Sequence, residues 1–232
     1  MELSTSLGGA VEVLQDRILS LMEGRPENRR ILIALAGVPG SGKSTITAAL
    51  LAQLEYAGVR NAVVVPMDGY HYTKARLASF QDPGGALRRR GAPFTFDAQS
   101  FLNTVVLLHG APAASHDNST EEVWIPGFDH AVQDPVPNDV CIPATTRIIM
   151  IEGNYVLLDQ PPWRQIATMV DERWFVDTSR HIAKHRIAKR HVNAGIEHTL
   201  EAAEQRAEEN DLPNGDLIRA KLLSPDVVIK ND

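Results

Sequence analysis

The sequence is short of several things, and each absence excludes a class of protein. Its 232 residues include one cysteine, Cys141, so no intramolecular disulfide can form and a reducing compartment is expected. No apolar run approaches the ~20 residues that a membrane-spanning helix needs. The opening residues, Met-Glu-Leu-Ser-Thr-Ser, lack a basic n-region and an apolar h-region, so no secretory leader is expected and the cytoplasm is the default location. Positive charge is not in excess: 23 Lys and Arg stand against 29 Asp and Glu, a net charge of −6. That argues against a nucleic-acid partner, which favours a basic surface, but not against a nucleotide, whose phosphates are captured locally. There is no internal repeat and no sign of a second hydrophobic core. A chain of this length, 44% hydrophobic, is therefore expected to form one domain over residues 1–232.

What is present is a phosphate-binding loop. Gly37-Val38-Pro39-Gly40-Ser41-Gly42-Lys43-Ser44-Thr45 fits G-x-x-x-x-G-K-[ST], with Gly37, Gly42, Lys43 and Ser44 at the required spacing. The apolar run Ile31–Ala36 before it reads as a buried parallel strand. The Ala- and Leu-rich run Ile46–Tyr56 after it reads as a helix. Glycines let backbone N–H groups curl around phosphate oxygens, and the helix N-terminus adds partial positive charge. Lys43 is expected to reach the β- and γ-phosphates, and the Ser44 hydroxyl to ligand Mg²⁺. ATP and Mg²⁺ are the expected cofactors.

The remaining pattern alternates strands with helices. A helical stripe over residues 7–22 is ended by Gly24 and Pro26, giving an N-terminal helix within residues 1–26. Further strands are expected at 62–67, 147–153, 174–177 and 227–229, making five in all with the strand before the P-loop. Helices are expected at 98–109, capped by Asp97 with Gly110 at its C′ position, then from Asp177 to about His191, from 200 to 210 after Thr199, and from Asn214 to Leu222. Residues 70–96 and 111–146 read as loops, 111–122 with a disordered composition. Helical crossovers between strands predict an α/β fold, a three-layer α/β/α sandwich around a five-stranded, mostly parallel sheet. A small helical lid is expected over residues 180–212.

In open parallel sheets, ligands bind beyond the carboxyl ends of the strands, so acids just after strands are candidates. Asp68 follows the second strand; it is either the base that accepts a proton from an attacking hydroxyl or the first residue of an Asp-Gly turn. Glu152 closes a strand and suits a metal-binding acid, against the alternative of a strand-end acid capping a loop. Asp177 reads as a helix N-cap. Arg186 and Arg190, four apart, share a helix face. They either close over the transferring phosphoryl group or belong to an exposed basic helix balanced by the acidic stretch 201–209.

Taken in order, these segments resemble the P-loop kinases of the uridine kinase, phosphoribulokinase and type I pantothenate kinase group. The resemblance runs from about Arg30 onward. It rests on Gly37–Thr45, Met67-Asp68-Gly69-Tyr70-His71-Tyr72, Gly91–Asp97, Phe128-Asp129-His130, Ile151-Glu152-Gly153-Asn154-Tyr155, Trp174–Thr178 and the Arg186/Arg190 pair. It implies that Asp68 activates the acceptor, that Glu152 is the Walker-B acid, and that Arg186 and Arg190 lie near the phosphates. It also implies that Tyr70, His71, Tyr72, Arg90, Asp129 and His130 belong to the acceptor pocket. His71 and His130 also read as ordinary surface histidines. The match is nearest to a uridine kinase-like branch carrying Glu-Gly-Asn-Tyr, Arg190-His191 and Asn210-Asp211 followed by Asn214. Uridine kinases, however, carry Phe-Tyr after the catalytic acid and a His-Pro pair later, whereas Asp68-Gly69 is closer to the pantothenate kinases.

The expected activity is transfer of the ATP γ-phosphoryl group to a hydroxyl of a small metabolite, a nucleoside such as uridine or a sugar. The alternatives are a pantothenate kinase-like enzyme, or an NTP-hydrolysing or regulatory module without a small acceptor. A GTPase switch is disfavoured, because an Asn-Lys-x-Asp segment is lacking. The oligomeric state is left open, with a homodimer among the options.

Overall fold

The computed structural model describes residues 1–114 and 122–232. Most of the segment read as disordered, residues 115–121, lies outside them. In chain order the first half comprises β1 (Glu2–Ser4), α1 (Leu7–Met22), β2 (Ile31–Gly37), α2 (Lys43–Tyr56) and β3 (Ala62–Pro66). The short helices α3 (Lys74–Leu77) and α4 (Pro83–Arg88) follow, then α5 (Ala98–Gly110) and a hairpin of β4 (Val123–Asp129) and β5 (Asp134–Ile142). The second half comprises β6 (Ile148–Glu152), α6 (Trp163–Ile166), β7 (Glu172–Asp177), α7 (Arg180–Asn193), α8 (Leu200–Arg206), α9 (Leu212–Ala220) and β8 (Val227–Lys230).

The central sheet has the order β1-β8-β7-β2-β6-β3, and every pairing is parallel. Period-2 alternation along β2 divides the core. Ile31, Ile33 and Leu35 pack with Leu14 and Ile18 of α1 and Leu50 and Leu54 of α2. Leu32, Ala34 and Ala36 face the opposite layer, with Phe101 and Val105 of α5 and with Tyr155 and Trp163. Both faces of β2 are buried, which explains its unbroken apolar run. The result is the expected α/β/α sandwich.

Several local expectations are corrected. Among the described residues the sheet has six strands rather than five, because β1 is three residues long, too short to give a periodic signal. Residues 134–142, expected as loop because of Pro135 and Pro137, form β5; this two-stranded hairpin stands outside the main sheet, where proline removes no central ladder bond. Ser179, not Asp177, occupies the N-cap position of α7, and the Asp177 carboxylate instead binds Arg219 at 3.0 Å and Lys230 at 3.0 Å. Gly110 is the last residue of α5 rather than its C′ position.

No new helix starts at Asn214. A π-helical turn, Ala207–Asp211, joins α8 to α9, and the wider i→i+5 pattern accommodates the missing N–H of Pro213. The Asp97 and Thr199 caps form as expected, accepting from the N–H groups of Ser100 at 3.0 Å and Ala202 at 3.2 Å.

Candidate active site

The P-loop connects β2 to α2 at the carboxyl rim of the sheet. Gly40 and Gly42 have φ of +74° and +89°, the left-handed region in which a Cβ is costly. Gly40 is also pressed by α7: a Cβ there would lie 2.9 Å from the carbonyl oxygen of Ala183 and 3.0 Å from Ile187. Helix α7 is therefore seated directly on the loop.

Strand order brings the acids to this loop. β6 lies between β2 and β3, pairing Leu35 with Glu152 on one side and Pro66 with Glu152 on the other. Neighbouring parallel strands are ~4.8 Å apart. The P-loop, Glu152 and the Met67–Tyr70 turn carrying Asp68 thus leave three adjacent strands side by side. The Ser44 hydroxyl donates to Glu152 Oε1 at 2.7 Å.

Lys43 Nζ donates to the carbonyls of Gly37 and Val38 at 3.1 and 3.2 Å and to Asn154 Oδ1 at 2.7 Å. Burial pushes its pKa down to about 8; the charges of Glu152 and Asp68 act in the opposite direction, and that of Arg190 adds to the lowering. Asn154 received no separate role from the sequence. Its only signal was its place two residues after Glu152.

The basic helix divides between both readings. Arg180 pairs with Glu208 at 3.0 Å, and Lys184 lies 3.8 and 3.7 Å from Glu204 and Glu208, so this face is balanced by α8 and the π-helical turn after it. Arg186 instead donates to the carbonyl of Asn231 at 2.8 Å, and Arg190 lies one turn further along the same helix face.

The residues expected around the acceptor are distributed unevenly. Tyr70 is in the core, 5% exposed. Its hydroxyl is 2.7 Å from Thr104 Oγ1 and its ring is 4.8 Å from that of Phe101, so it is not brought to the pocket. His71 is held over the Asp68 turn by a 2.8 Å contact from Nδ1 to the Asp68 carbonyl. Its ring lies 3.9 Å from that of Phe96 and 5.0 Å from that of Phe128. Burial lowers its pKa, opposed by the charge of Asp68, so it is not an ordinary surface histidine.

Arg90 ties the segment before α5 to the hairpin. It binds Asp134 at 2.7 Å, the Tyr72 carbonyl at 3.0 Å and the Gln133 carbonyl. The Tyr72 ring packs 5.7 Å from Phe80. Asp129 caps the hairpin turn, accepting from the N–H groups of Ala131 at 2.7 Å and Val132 at 3.1 Å; these bonds hold its pKa below the usual carboxylate range. His130 is exposed at the same turn. Arg90 and Asp129 are thus occupied in holding the hairpin and the segment before α5 in place.

A P-loop with two acids at neighbouring strand ends and arginines on an overlying helix defines a P-loop kinase. The chain belongs to the phosphoribulokinase / uridine kinase family, whose sequence model matches residues 32–210. A Schizosaccharomyces pombe protein provisionally named a uridine kinase is 37% identical over 218 residues, 94% of this chain and 88% of that one. Among solved structures, a provisionally named fructose transport system kinase from Silicibacter sp. TM1040 is 33% identical, with a TM-score of 0.77, covering 97% of this chain and 99% of that one. The P-loop kinase YFH7 of Saccharomyces cerevisiae is 25% identical with a TM-score of 0.82, covering 96% and 99%.

Proposed function

We propose that this kinase transfers the γ-phosphoryl group of ATP to a hydroxyl of a small metabolite, a nucleoside or a sugar. The observation that carries the reading is geometric: β6 pairs with both β2 and β3, so Glu152 bonds Ser44 of the P-loop at 2.7 Å and the turn carrying Asp68 leaves the next strand. ATP is supported by relatives named ATP-dependent kinases. The acceptor class is supported by relatives whose names specify uridine and fructose.

In this mechanism the amides of residues 37–45 and the Lys43 ammonium hold the β- and γ-phosphates. Asp68 accepts the acceptor hydroxyl's proton as its oxygen bonds to the γ-phosphorus. The bond to the β–γ bridging oxygen breaks, and ADP leaves. Arg186 and Arg190 offset charge on the transferring group. The Ser44 hydroxyl and Glu152 carboxylate, already 2.7 Å apart, are two hard oxygen donors that fit Mg²⁺. They would hold that ion, which supplies charge neutralisation on the phosphates. Among the described residues no group of three His, Cys, Asp or Glu side chains forms a metal cage; a metal shared with substrate phosphates needs none.

The test is ATP consumption against a panel of nucleosides, sugars, sugar acids and pantothenate. Acceptor-dependent ADP release with one nucleoside or sugar is expected; steady hydrolysis indifferent to every acceptor refutes the proposal. Asp68→Asn should lower turnover by about 10²–10⁴-fold while nucleotide still binds, and near-normal turnover removes Asp68 as the base.

A further inference from the structure

Residues 231 and 232, beyond β8, reach three parts of the site. β8 runs beside β7, with Lys230 opposite Asp177, and the Asn231 N–H continues the ladder by donating to the Asp177 carbonyl at 2.9 Å. This delivers Asn231 to the carboxyl rim. Its side-chain Nδ2 donates to the Ser41 carbonyl at 2.7 Å, and its own carbonyl accepts from Arg186 at 2.8 Å. Asp232 Oδ1 accepts from the Ser179 N–H at 2.6 Å and the Thr178 hydroxyl at 3.0 Å. It thereby caps α7, whose own N-cap side chain makes no such bond.

We infer that Asn231 is a positioning residue for phosphoryl transfer, setting the P-loop and the Arg186 guanidinium in register with each other. The inference rests on the kinase reading above. The carbonyl and the N–H of a trans peptide point in opposite directions. Anchoring the Ser41 carbonyl on Asn231 therefore turns the Gly42 N–H the other way, into the cradle where a phosphate oxygen would sit. Gly42 makes room for the anchor, because a Cβ at residue 42 would collide with the Asn231 amide. One residue thus holds the P-loop through its side chain and the Arg186 guanidinium through its backbone.

The experiment is an equilibrium titration of a fluorescent ATP analogue, with kcat, the acceptor KM and the melting temperature measured alongside. Asn231→Asp puts an acceptor against the Ser41 carbonyl without changing shape. It is expected to raise the nucleotide Kd about tenfold and to lower kcat, with the acceptor KM unchanged. Asn231→Ala, which only deletes the donor, is expected to raise Kd about threefold and keeps the test in force if the Asp variant folds poorly. A lower melting temperature with wild-type Kd in both variants means a merely structural role and overturns the inference. Lys43→Ala must abolish binding in the same assay. If it does not, phosphate capture by the loop is refuted and the role of Asn231 with it. A normal Lys43→Ala response beside unresponsive Asn231 variants overturns the role of Asn231 alone.

Discussion

Raising the pH from 7.5 to 9 should weaken nucleotide binding about eightfold through Lys43. In the free protein burial holds the Lys43 amine at about 8, with the charges of Glu152 and Asp68 acting in the opposite direction. A bound phosphate places negative charge beside the ammonium and raises its pKa. The sign follows from linkage: a group protonated more strongly in the complex favours binding fully below its free-state pKa, and that contribution falls progressively from there up to its higher pKa in the complex. With a pKa near 8, roughly three quarters of the amines are protonated at pH 7.5 and about one tenth at pH 9, which gives the eightfold ratio. An isothermal titration with a non-hydrolysable ATP analogue across this range reads it directly. Lys43→Arg supplies the control, because a guanidinium does not titrate there and should flatten the profile. A wild-type Kd constant within twofold from pH 7.5 to 9 refutes the argument that burial depresses this amine.

Two further substitutions separate roles within the site. Glu152→Gln keeps the bond from Ser44 but removes the carboxylate charge; the Mg²⁺ concentration for half-maximal activity should rise at least tenfold, and an unchanged requirement excludes Glu152 from metal binding. Tyr70→Phe deletes a hydroxyl paired with Thr104 in the core. It should cost about 0.5–1.5 kcal/mol in denaturant unfolding and leave the acceptor KM unchanged, whereas a raised KM with unaltered stability would return Tyr70 to the pocket.

Much of this molecule was legible in the chain because its signals are local. The loop 37–45 carries its own dihedral demands in Gly40 and Gly42 and sits between an unbroken apolar run and a helix former. Asp97 and Thr199 cap because their side chains reach an N–H three residues on. The misreadings were equally physical. A three-residue edge strand has too little pattern to register, and the π-turn that joins the helix after Thr199 to the one read from Asn214 has no local signature.

The sequence by itself determined that a phosphate cradle sits between a buried strand and a helix, and which acids follow strands. Tertiary structure alone decided which of those acids reach the cradle. β6, about a hundred residues later in the chain, inserts between β2 and β3 and brings Glu152 to Ser44. Asp177, also at a strand end, is instead engaged by Arg219 and Lys230. The fold likewise buried Tyr70, placed His71 over the Asp68 turn and delivered Asn231 to Ser41. The physical reason is that propensity and spacing act over a few residues, whereas strand order is set by which faces of distant segments bury each other, and no local pattern encodes that choice.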